Sequence, residues 1–85
     1  MKEIRHKVKD REGIHARPAG ELVKLATELS SDISIEKDGK TGDAKRIFAV
    51  MALGAKCNDE IIIKINGQDE NEAYERITEF LKSNL

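Results

Sequence analysis

Seven consecutive residues, Gly13-Ile14-His15-Ala16-Arg17-Pro18-Ala19, bring together residue types suited to phosphoryl chemistry. The apolar residues Ala16, Ala19, Leu22, Val23, Ala26 and Leu29 recur at a spacing of three and four, which predicts a helix beginning in this stretch and ending at Ser30-Ser31. His15 then stands at or beside the helix N-cap, where unpaired backbone N–H groups and the positive end of the helix dipole face outward. That field disfavours an imidazolium ion, and a neutral imidazole keeps a lone pair on one nitrogen with which to attack phosphorus. The oxygens of a phosphorylated ring would meet the same N–H groups and dipole, so the anionic adduct is favoured too. Arg17, permanently charged, is near enough to offer those oxygens its planar fork of donors. Ala16 leaves the approach uncrowded. Pro18 lacks an N–H where a helix has donors to spare, and it biases Arg17 away from helical geometry, which predicts an open first turn with the Ala16 and Arg17 N–H groups exposed. Gly13 permits a tight entry. A histidine before a helix is more often a cap than a nucleophile; here glycine, a small residue, arginine and proline all fit one phosphate geometry. His6 lacks such neighbours and shares a face with Ile4 and Val8, so it reads as a half-buried strand residue.

The elements that must position this stretch are readable by period. Alternation of Ile4, His6 and Val8 with Arg5, Lys7 and Lys9 predicts a strand over Lys2 to Lys9. Ile33 and Ile35 alternate with Ser34 and Glu36, and Asp38-Gly39 suits a two-residue hairpin turn into a short third strand. Ile47 to Leu53 followed by Gly54 predicts a short helix with a left-handed glycine cap. Glu60 to Ile65 predicts a central strand ended by Asn66-Gly67. Asp69 and Glu72 resemble a capping box that opens a last helix with Ala73, Ile77, Phe80 and Leu81 on its apolar face. The order βαββαβα in one sheet implies an α+β class of two layers, with helices on one face and water on the other.

The chain has 85 residues, room for a single domain over 1–85. Charged residues make up 36%, yet 15 basic against 16 acidic side chains leave a net charge of -1, which gives no bulk attraction to nucleic acid. One tyrosine and two phenylalanines also provide no paired stacking platform for bases. The distribution is uneven: Met1 to Lys24 carry a net +3 and Glu60 to Leu85 a net -3, so an amino-terminal contact surface would prefer an acidic partner. The longest apolar run, Ile47 to Leu53, is far short of the roughly 20 residues of a membrane span, and no signal peptide follows MKEIRHK. No membrane insertion and a cytoplasmic location are expected. The lone Cys57 fits a reducing compartment. A metal or thiol site built from His6, His15 and Cys57 lacks ligand spacing on any one element, so neither metal nor cofactor is expected.

With GIHARPA at this position, IFAVMALG further on and the βαββαβα order, the whole chain resembles the HPr family, the histidine-containing phosphocarriers of the bacterial sugar phosphotransferase system. The resemblance implies an open-faced β-sandwich of four antiparallel strands in the order 1-4-2-3 with three helices on one side. It implies a monomer that is a stoichiometric carrier and not an enzyme. His15 would take a phosphoryl group from enzyme I and pass it to the IIA domains of sugar permeases, with Arg17 as the phosphate partner. Ile47, Phe48 and Met51 would present an apolar surface to those proteins, with Gly20 beside the active centre and Lys24 adding positive charge. From the residues alone, the same apolar cluster could instead be core, with Val50 and Leu53 turned inward.

Two positions depart from the family pattern. Many relatives from Gram-positive bacteria carry a serine before the short helix that an ATP-dependent kinase phosphorylates; here Arg46 offers no hydroxyl. Lys45 and Arg46 also set two cations at a helix N-terminus, offset by Asp43 or directed at an acidic partner. Gly20 replaces a hydroxyl residue common in the family. The alternative is a regulatory paralogue that binds proteins without serving sugar transport, as in a nitrogen-regulatory branch. The presence of both His15 and Arg17 speaks against a paralogue without phosphotransfer and leaves the sugar and nitrogen-regulatory branches open.

Overall fold

The computed structural model describes residues 1–85. Strands form where isoleucines lie among polar residues in β1 (Lys2–Lys7), β2 (Asp32–Lys37) and β4 (Glu60–Asn66), while β3 (Lys40–Asp43), which has no isoleucine, pairs with β2 across the Asp38-Gly39 turn. Helices form where the apolar period lengthens: α1 (Ala16–Thr27), α2 (Ile47–Met51) and α3 (Glu70–Asn84). The strands make one four-stranded antiparallel sheet in the order β1-β4-β2-β3. This is the α+β, two-layer, open-faced arrangement expected. The most apolar strand, β4, lies inside, and its Ile63 is in register with Ile4 of β1 on one side and Ile35 of β2 on the other. Because successive side chains point to opposite faces, all the inward isoleucines meet one layer of helices. Leu22 and Ala26 of α1 and Ala73, Ile77 and Leu81 of α3 complete a single cluster of 20 buried residues. Each fully buried isoleucine or leucine contributes about 1.5–3 kcal/mol of transfer free energy. The outward residues Glu3, Arg5 and Lys7 of β1 are exposed, so the other face is wet.

Several boundaries and one cap differ from the sequence reading, and α2 (Ile47–Met51) ends short of the expected Leu53. β1 stops at Lys7, because beyond it Val8 pairs with the loop before β4: its N–H donates to Asp59 O at 2.9 Å and its carbonyl accepts from Asn58 N–H at 2.7 Å. α1 stops at Thr27, where the last turn tightens: the Glu28 and Leu29 N–H groups bond to Leu25 and Ala26 carbonyls three residues back. Leu29 nevertheless stays buried as the stripe requires. The capping box before α3 does not form. Glu72 pairs with Arg76, and it is Glu70 whose Oε1 accepts the Gly67 N–H at 3.3 Å.

Asp69 has another task. Its carboxylate accepts the Ser30 N–H at 2.8 Å, the Ser31 N–H at 2.9 Å and the hydroxyl of fully buried Ser31, tying the start of α3 to the segment leaving α1. Those donors, the Ser31 hydroxyl foremost, lower the Asp69 pKa from 3.8 to about 2. A carboxyl whose pKa is depressed on folding stabilises the fold above its unfolded value and loses that contribution as pH falls through the folded one. Unfolding stability is therefore expected to fall as pH drops from about 3.8 to about 2. Asp69→Asn should be less stable at neutral pH and show a flatter acid limb, as measured by denaturant melts across that range.

Candidate functional site

The stretch from Asp10 to Ala16 leaves β1 and enters α1 through a turn. Gly13 donates its N–H to Asp10 O at 2.9 Å, and the Asp10 side chain closes the turn by accepting the Glu12 N–H at 2.9 Å. Asp first and Gly fourth is a common composition for a type I turn. Gly13 adopts φ of 67°, a left-handed conformation that costs other residues strain. Its backbone also rests against the loop after α2, where a Cβ would lie 2.3 Å from Ala55 O and 2.8 Å from Lys56 Cα. Ile14 is buried and donates its N–H to the same Ala55 carbonyl at 3.0 Å. The entry to α1 is thereby fixed by backbone contact.

His15 follows as the N-cap of α1, with extended backbone and no side-chain cap bond, as its position in the sequence implies. The first turn is closed and not open: Arg17 is helical, and the Ala19 N–H bonds to His15 O at 3.0 Å. The bias imposed by Pro18 yields to a helix start at which the missing proline N–H costs nothing. Ala16 and Arg17 keep the spare N–H groups of any helix N-terminus. Arg17 is 59% exposed, and its Nη1 lies 3.4 Å from Glu21 Oε1, one turn along α1. An exposed pair of this spacing contributes only about 0.3–0.5 kcal/mol, so Glu21 holds the guanidinium weakly.

Two residues that sequence reading did not single out complete the site. The His15 Nε2 lies 3.5 Å from Asp10 Oδ2 and 3.4 Å from Glu12 Oε2. The Glu12 N–H bond, chiefly, holds the Asp10 carboxyl below its usual value, with His15 and Arg17 lowering it further, so it is ionised near neutral pH. These three side chains bring their ligand atoms within 4.8 Å of one another, the one grouping able to approach a cation together. His6 is half-buried on β1, its Nε2 shielded and unpaired, and takes no part. Cys57 is a free, half-buried thiol, its Sγ 3.7 Å from Lys9 O.

The short helix lies beside α1. A side-chain carbon on Gly20 would sit 3.7 Å from Ile47 Cδ1, in ordinary contact. Val50 and Leu53 are buried, Ile47 packs half-buried against the core, and Phe48 is 83% and Met51 38% exposed. Lys24 and Arg46 are exposed. Lys45 is not aimed outward: its Nζ donates to Leu29 O at 2.9 Å, just past the end of α1, where a cation is favoured by the helix dipole. Asp43 accepts the Lys45 N–H at 2.9 Å. Arg46 alone is left as the exposed cation at the start of α2.

The family described as "PTS HPr component phosphorylation site" matches residues 2–83. The chain belongs to the HPr family. Among solved structures, an HPr from Thermoanaerobacter tengcongensis is 37% identical, with a TM-score of 0.93, covering 98% of this chain and 93% of that one. The phosphocarrier HPr from Bacillus anthracis is 38% identical at a TM-score of 0.85, covering 93% and 94%. The catabolite repression protein Crh of Bacillus subtilis, seen as a domain-swapped dimer, is 34% identical at 0.78, covering 94% and 92%. These HPr relatives thus share the fold of this chain over nearly its full length.

Two glycines of this HPr chain should respond in opposite ways. Gly13→Ala meets the Ala55 carbonyl and a left-handed backbone, and should destabilise by about 1–3 kcal/mol or more while shifting the His15 amide resonance. Gly20→Ala has space beside Ile47 and removes a helix-interior glycine, and should stabilise by about 0.5–1 kcal/mol. Denaturant unfolding of the two variants checks both signs.

Proposed function

We propose that this chain, a single cytoplasmic domain, is the phosphoryl carrier of a phosphotransferase relay and not an enzyme in its own right. His15 accepts the group from enzyme I and passes it to the IIA domains of sugar permeases, with Arg17 as the phosphate partner. The observation that carries this reading is the position of His15 at the N-cap of α1, beside the spare N–H groups of Ala16 and Arg17. The two carboxylates near Nε2 call for a proton on that nitrogen, which in the neutral ring leaves the lone pair on Nδ1. In the transfer, Nδ1 forms the new bond to phosphorus as the bond from phosphorus to its donor breaks, the electron pair staying with the donor. Spare backbone N–H groups and the Arg17 fork then stabilise the phosphoryl oxygens.

Exposed Phe48 and Met51 beside α1, with Arg17, Lys24 and Arg46 around them, support a partner surface of apolar centre and positive rim. Such a surface suits acidic partners that must bind and leave quickly. The carrier is read as a monomer, since this patch is needed for enzyme I and IIA in turn.

Mixing the protein with enzyme I and phosphoenolpyruvate should give an acid-labile, base-stable phosphate in one-to-one stoichiometry. His15→Ala should keep its melting temperature and take no phosphate; phosphate on the variant would overturn the assignment.

Arg46 sets a second expectation. Arg46→Glu should slow association with enzyme I, with the loss shrinking as salt rises, because an exposed charge acts through about 10 Å of screening at 0.1 M ionic strength. Stopped-flow rates at low and high salt check this. The unsubstituted chain should gain no phosphate at position 46 from an ATP-dependent seryl kinase.

A further inference from the structure

The carboxylates beside His15 are not equivalent. Asp10 is 21% exposed, closes the turn through Oδ1 by accepting the Glu12 N–H, and turns Oδ2 towards the ring. Glu12, 73% exposed, reaches the same nitrogen with no second anchor. Asp10 is therefore held in place by the backbone and Glu12 is a looser companion. The ring itself is 31% exposed and makes no cap bond to α1, so these two carboxylates are the charged neighbours that can orient it.

We infer that Asp10, assisted by Glu12, is the positioning residue of the phosphoryl acceptor: it fixes the Nε2–H form of His15 and balances the positive charge that appears on the ring during transfer. The inference rests on the carrier function proposed above. A neutral imidazole that uses its Nδ1 lone pair to bond phosphorus keeps its Nε2 proton and so acquires a unit of positive charge. The phosphoryl oxygens, with their negative charge, are then carried on Nδ1, across the ring from the carboxylates at Nε2, and the carrier reading has the helix N–H groups receive them. The site thus holds an anion-stabilising group on one side of the ring and a cation-stabilising one on the other. A carboxylate that orients an imidazole and stabilises its charged form plays this part in hydrolase triads, where the carboxylate itself is not protonated. The same placement explains why carboxylates can stand so near a group that becomes anionic: they face the nitrogen that phosphorus does not use.

The test separates this role from a structural one. Asp10→Asn keeps a side-chain oxygen able to accept the Glu12 N–H, so the turn survives, but the new amide nitrogen then faces Nε2 and cannot accept a proton. Ring ¹⁵N shifts of the neutral histidine report which nitrogen carries the hydrogen. In Asp10→Asn/Glu12→Ala the Nδ1–H population of His15 should rise several-fold and transfer from phosphorylated enzyme I should slow by about tenfold to a hundredfold, at or below the lower end of the range for positioned acid–base groups because the clamp is partly solvated. Glu12→Ala alone should move both readouts in the same direction by less. Arg17→Lys should slow transfer and leave the ring proton where it was. An unchanged His15 ring proton in the double variant, or in Glu12→Ala a shift as large as in the double variant, would overturn the role given to Asp10. Should the unsubstituted chain take no phosphate at all, the carrier reading fails, while the ring-proton comparison still decides the clamp.

Discussion

The close approach of Gly13 to the Ala55 backbone fixes the entry to α1, on which the candidate site depends. A Cβ at that position would lie 2.3 Å from a carbonyl oxygen, so the backbone passes where only glycine passes. That contact, with the Ile14 N–H on the same carbonyl, decides where α1 begins and hence that His15 and no other residue is its N-cap. Behind it stands the isoleucine layer of β1, β4 and β2, which holds the sheet to which both loops are joined. The site is a consequence of backbone packing at an edge of the core, and the reactive side chain needs little from the core itself.

Two electrostatic arrangements meet around His15. A helix N-terminus offers donors to anionic oxygens, and the turn before it offers carboxylate oxygens to the far ring nitrogen. Each alone would be ordinary on a protein surface. On the carrier reading proposed above, they give the ring a direction, with one nitrogen for the proton and one for phosphorus. The surrounding cations each have a separate place: Arg17 pairs with Glu21, Lys45 serves the end of α1, and Arg46 faces solvent.

Much of this was legible in the sequence. The alternation of Ile33 and Ile35, the Asp38-Gly39 turn, the glycine stop after α2 and the helical stripe from Ala16 each depend on local rules, and each formed. The helix start within GIHARPA, with His15 at its N-cap, was legible for the same reason, since cap, glycine and proline act within a few residues. Long-range polar partners were not legible. Asp69 looked like a cap and instead binds Ser30 and Ser31, 39 and 38 positions away, because folding brings those N–H groups within reach. Lys45 turning to Leu29 O is of the same kind. Asp10 lies between these cases: aspartate three residues before Gly13 was a readable turn signal, but that its free oxygen would face His15 depends on the turn's geometry. The open first turn expected from Pro18 failed because a helix start tolerates proline without distortion.

The central claim is that His15 carries the phosphoryl group on the nitrogen turned away from Asp10 and Glu12. Phosphorus–nitrogen coupling in ¹⁵N-histidine-labelled protein, phosphorylated by enzyme I and phosphoenolpyruvate, measures this directly. The account predicts one phosphate per chain, coupled to Nδ1 of His15, with Nε2 still protonated. Phosphate coupled to Nε2, or found on any other residue, would contradict it.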